Sequence, residues 1–104
     1  MSDTILPARD CTTMAEVRAG VDKVDRDLVA LLVQRFAYMD AAARIKPNRS
    51  AVRDEARKTQ VIFNARTAAE EAGLPGAVIA DLWDNLVEAS IAYEMAAFDQ
   101  LWLG

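Results

Sequence analysis

Arg35 and Lys46 stand eleven positions apart in QRFAYMDAAARIKPN, residues 34–48. At 3.6 residues per turn this is close to three whole turns, so in a helix both cations project from one face. Upstream, that face carries Val17, Val21, Val24, Leu28, Leu31 and Leu32, spaced by threes and fours as a core-facing stripe is. The count continues onto Arg35, Met39, Ala42 and Lys46, and Arg18 stands one step from its start. A second stripe, Ile79, Trp83, Leu86, Ser90, Glu94, Ala97 and Leu101, likewise places polar residues at apolar positions. Arg57, with Asp54 three residues before it, completes the set.

Each of these residues has an ordinary reading. A long cation near a helix end can bury its stem and keep its charge in water, as Lys46 could beside Pro47. Arg57 can form an exposed ion pair, Ser90 can bond back to its own helix, and Glu94 can bridge a buried arginine. Together they say more. Burying a charge costs several kcal/mol unless it is paired, and Arg18, Arg35, Lys46 and Arg57 face one carboxylate, Glu94. The excess positive charge calls for a small anion with more than one negative charge. Arginine forks fit carboxylates, and a lysine adds a movable point charge.

The elements that must position these groups are helical. Helix formers dominate, glycine and proline are sparse, and no alternating Val/Ile/Thr-rich run occurs, which predicts an all-α fold. Thr13-Met14-Ala15-Glu16 reads as a capping box opening the first helix, which runs unbroken to Pro47. A helix of about 34 residues is roughly 50 Å long, whereas a folded chain of this size has a radius of gyration of about 13 Å. The rest of the chain cannot cover such a helix, so the expected architecture is an intertwined homodimer of three-helix chains. Pro47–Ser50 reads as a loop, and a second helix is expected over about Val52–Ala72, with Gly73 just past its end. Leu74-Pro75-Gly76 is the turn, and a third helix runs from about Ala77 to near the C-terminus. Residues 1–104 form one domain, with 1–12 as a lead-in.

Composition excludes several function classes. With 53% hydrophobic and 27% charged residues the chain is foldable, and its net charge of −4 argues against a nucleic-acid partner. The single Cys11 allows no internal disulfide, and the absence of histidine removes the usual metal ligand and proton shuttle. No cofactor or metal is expected. No run is apolar enough for a signal peptide or a membrane span, so the expected location is the cytoplasm.

The segments VRAGVDKVDRDLVALLVQRFAYMDAAARIK, VRDEARK and LWDNLVEASIAYE, in that order, resemble the all-helical chorismate mutase family over about residues 10–100. The first, with its lead-in DCTTMAE, is similar to the isochorismate-pyruvate lyases, which share the fold and catalyse a related pericyclic reaction. The resemblance implies an intertwined dimer with two equivalent active sites. Arg18 would reach the site of the other subunit, while Arg35, Lys46 and Arg57 would act within their own. Arg18 and Arg35 would grip the two carboxylates, and Lys46 would serve a carboxylate and the ether oxygen of the breaking bond. Arg57 and Asp54 would hold the ring side, Asp54 through the substrate hydroxyl, and Ser90 would bond a carboxylate. Glu94 would face the ether oxygen from the opposite side.

Two residues depart from the family pattern. Where many members have glutamine this chain has Glu94, which can donate to a developing oxyanion only when protonated, so an acid-shifted rate is expected. Lys58 stands where a subgroup has a glutamate bonding the substrate hydroxyl, and an i,i+4 pair with Asp54 is its expected alternative. The implied activity is rearrangement of chorismate to prephenate. Isochorismate-pyruvate lyase is the second reading, and a non-catalytic helical interaction module is the third.

Overall fold

The glutamate of the expected capping box closes the entry to the longest element of the chain. In the computed structural model, which describes residues 5–102, Glu16 Oε1 accepts from the amides of Thr12 and Thr13 at 2.9 and 3.0 Å. The Thr13 hydroxyl accepts from the Glu16 amide in return, at 3.2 Å. Those bonds, the Thr12 amide foremost, hold the Glu16 carboxyl below the ordinary carboxylate range. Helix α1 then runs Met14–Ile45, 32 residues.

The described chain divides into two units, one ending at Arg35 and the other beginning at Phe36. In the first, a 3-10 turn, Ala8–Asp10, precedes α1. Ile5, Leu6 and Pro7 line an apolar groove with Val17, Val21 and Val24 of the helix. The stripe expected to face a core is solvent-facing in the single chain: Val17, Val21, Val24, Leu28 and Leu31 are all exposed, Leu31 to 58%.

The second unit contains the last turns of α1, a 3-10 turn Arg49–Ala51, α2 over Glu55–Glu71 and α3 over Gly76–Trp102. Helices α2 and α3 pack as a hairpin. Between them the chain closes a Schellman turn, in which the Leu74 amide donates to the Ala69 carbonyl and the Gly73 amide to that of Glu70. Gly73 adopts φ 82°, the left-handed conformation that such a turn requires and that only glycine enters without strain. Ala43 of α1, Val52 and Phe98 of α3 form the buried cluster, backed by Ile91, Met95 and Ala97.

Two expectations shift. The second helix begins at Glu55 rather than Val52, because two successive caps intervene. Asn48 Oδ1 accepts from the Ala51 amide and Asp54 Oδ1 from the Arg57 amide, so Val52 stays outside the helix and enters the core. On α3 the buried seam is Val87, Ser90, Glu94 and Phe98, which keeps the two polar residues of the expected stripe but moves its apolar members by one position. Among the described residues no helix is long and apolar enough to cross a membrane.

Replacing Gly73 forces a side chain into the left-handed region. Gly73→Ala is expected to lower stability by about 1 kcal/mol, measured as the urea midpoint at fixed protein concentration. An unchanged midpoint would mean the turn relaxes at no cost.

Candidate active site

Lys46 closes the last turn of α1, its amide donating to the Ala42 carbonyl at 2.9 Å. Pro47 follows it and ends the helix. The side chain turns inward. Its Nζ donates to Glu94 Oε2 at 2.5 Å and lies 3.4 Å from the carbonyl oxygen of Val52. Glu94 is 4% exposed, so this is an ion pair at the edge of the core, with the carboxylate buried and the ammonium partly open to solvent. Residues expected on opposite sides of a substrate oxygen therefore touch one another.

One turn before Glu94, Ser90 is equally buried, and its Oγ donates to the Leu86 carbonyl at 2.7 Å. Val87 and Phe98 close the seam at its two ends, so the polar pair sits within an otherwise apolar face. Tyr93, beside Glu94, donates to Asp40 at 3.0 Å and meets Phe36 edge-on, which fixes α3 against the end of α1. Its hydroxyl is pushed above the ordinary tyrosine range by the Asp40 carboxylate.

At the start of α2, Asp54 is the helix cap and Arg57 is exposed, its guanidinium donating to Gln60 at 2.9 Å. Lys58 does not pair with Asp54. It reaches across to α3, donating to Glu88 at 2.7 Å and pairing with Asp84 at 3.0 Å. The cap explains the difference, since Asp54 turns its carboxylate onto the Arg57 amide while Lys58 faces the neighbouring helix. Glu88 also receives the Arg53 fork at 2.8 and 3.1 Å. Those bonds, Arg53 first and Lys58 second, hold the Glu88 carboxyl down at about 2.

Arg18 and Arg35 lie in the first unit, Arg18 exposed and Arg35 half-buried. They are seventeen residues apart on α1, about 25 Å along its axis at 1.5 Å per residue. No small ligand can take both from one chain. Cys11 donates weakly to the Pro7 carbonyl, and among the described residues no three His, Cys, Asp or Glu side chains cluster as a metal site.

Residues 17–95 match the family model described as chorismate mutase type II. The chain belongs to the chorismate mutase type II family. It is also 30% identical to the isochorismate pyruvate lyase of Pseudomonas aeruginosa over 91 residues, which cover 88% of this chain and 90% of that protein. The matched span contains every family position singled out above, from Arg18 to Glu94.

Sequence reasoning missed the anchors of the segment after Lys46. Arg49 forks onto Asp99 at 2.8 and 3.3 Å, and Arg53 onto Glu88. These partners are 50 and 35 positions away, beyond the reach of any local spacing rule.

The depressed Glu88 carboxyl makes an acid-dependent contribution. A group whose pKa falls on folding stabilises fully above its ordinary value, and that stabilisation fades as pH falls towards the folded value. The window is therefore from 4.5 down to about 2. Glu88→Gln should flatten the loss of stability across that window, modestly because the pair is half-exposed and screened by salt. Urea midpoints of the two proteins at several pH values test this, and parallel curves would remove Glu88 from the acid response.

Proposed function

We propose that the protein is a chorismate mutase that works as an intertwined homodimer. The observation that carries this reading is the Lys46–Glu94 pair, a cation held at the rim of a buried polar seam in a member of this family. Rearrangement of chorismate to prephenate breaks the ether C–O bond and forms a C–C bond within one molecule, with no net proton transfer. It requires the enolpyruvyl arm to be held over the ring and donors aimed at the oxygen that gains charge. Neither a nucleophile nor a histidine is needed.

In this reading Arg35 and a partner subunit's copy of Arg18 bind the two carboxylates. Lys46 bridges a carboxylate and the ether oxygen, Glu94 faces that oxygen, and Ser90 adds a carboxylate contact. Arg57 and the remaining capacity of Asp54 hold the ring side, while Lys58 ties α2 to α3. The exposed apolar stripe of α1 and the span between Arg18 and Arg35 both support a second copy. With two chains antiparallel along their long helices, the two arginines can meet at one site.

Isochorismate-pyruvate lyase activity is the second reading, favoured by the similarity to the Pseudomonas aeruginosa enzyme over nearly the whole chain. There the same C–O bond breaks, and a ring hydrogen must move to the methylene carbon for salicylate and pyruvate to balance.

Purified protein given chorismate and isochorismate separately decides between them. Prephenate is the expected main product; salicylate with pyruvate would establish the second reading, and no turnover of either would leave an interaction module. Lys46→Ala is expected to nearly abolish turnover, but it also strands the buried Glu94 carboxylate, at a cost of about 3–5 kcal/mol. The double variant Lys46→Ala/Glu94→Gln is expected to regain stability and not turnover. Recovery of both would remove Lys46 from the chemistry.

A further inference from the structure

The segment from Pro47 to Asp54 lies along α3, and its attachments are arranged around Lys46. Val52 is 3% exposed and packs with Ala43 and Phe98, and its carbonyl oxygen faces the Lys46 Nζ. On either side of Val52 an arginine forks onto an α3 carboxylate, Arg49 onto Asp99 and Arg53 onto Glu88. Glu88 and Asp99 are eleven residues apart on α3, three turns and about 16 Å, along one line of the helix. Glu94 lies between them in sequence and about a third of a turn around.

Arg49 and Arg53 are only four residues apart, a span of at most about 14 Å even if extended. Two planar forks pulling a short segment toward carboxylates about 16 Å apart leave it little freedom to slide along α3. They fix the height at which Val52 enters the core, and so where its carbonyl stands. That carbonyl and Glu94 are the two oxygens on the Lys46 ammonium.

We infer that Arg49 and Arg53, through Asp99 and Glu88, are positioning residues for Lys46. They touch no substrate; they hold the strap 47–54 so that its carbonyl and Glu94 share the ammonium in one geometry. Arg49 is the sharper test. Its pair with Asp99 is largely exposed, 55% and 36% by side chain, and surface pairs contribute little to global stability. Its value lies in local order. The assignment rests on the proposed activity only for its kinetic consequence.

The test compares wild type, Arg49→Gln and the charge-swapped double variant Arg49→Asp/Asp99→Arg. One readout needs no substrate: the rate at which acetic anhydride acylates Lys46, normalised to the exposed Lys23 of the same chain and followed by peptide mass spectrometry. Loosening the strap should expose the ammonium and speed its labelling about fivefold in Arg49→Gln, the scale of one surface ion pair. The swap should restore the wild-type rate. The second readout is turnover, in which Arg49→Gln should lower kcat about fivefold with KM within about twofold, and the swap should recover most of the loss. Urea midpoints should coincide in all three.

Unchanged Lys46 labelling in Arg49→Gln overturns the inference, as does faster labelling with an unaltered kcat. A kcat loss that the swap leaves in place while labelling recovers also overturns it, because Arg49 would then act directly on the substrate. If wild type turns over neither chorismate nor isochorismate, the functional reading fails while the labelling comparison still decides whether the strap positions Lys46.

Discussion

The molecule is organised around a charge that could not be buried alone. Glu94 sits in the middle of the α3 seam, where desolvation of a carboxylate costs several kcal/mol. Lys46 offsets that cost from the end of α1, 48 positions away. Once the two must meet, much else follows. The first helix has to stop just before Lys46 so that this side chain can turn inward, and Pro47 enforces the stop. The chain beyond it has to pass close to α3, and Val52 becomes the plug that closes the apolar cluster over the pair.

The electrostatic layout separates into two layers. Inside are Lys46 and Glu94, with Ser90 a turn away. Outside, Arg49, Arg53 and Lys58 are each engaged with carboxylates of α3. These cations thus divide between those paired at the surface of α3 and Lys46, whose carboxylate partner is buried. Telling them apart requires the partners, because arginine and lysine at either kind of position look alike in sequence.

Much of the frame was legible in the residues. The Thr13–Glu16 box, the unbroken run to Pro47, Gly73 as the end of α2 and the polar positions in the α3 stripe all follow from local rules, and all stand in the structure. What escaped was not local. Asn48 and Asp54 are typical cap residues, yet only the packing of Val52 shows that they act in succession and delay α2. The true α3 seam uses Val87 and Phe98 in place of Leu86 and Ala97, since the angle at which helices cross decides which neighbour of Ser90 and Glu94 is covered. For Lys58 local spacing points to Asp54, four residues back, whereas its partners lie on α3.

The tight turn at Gly73 also bears on the order in which the parts can assemble. Joining α2 to α3 closes only a few residues of chain, so the hairpin forms at small entropic expense and early, as local contacts do. Lys46 and Glu94 must close a far longer loop. Closing that loop and burying the carboxylate are therefore coupled, since the buried charge is favourable only with its counter-ion in place.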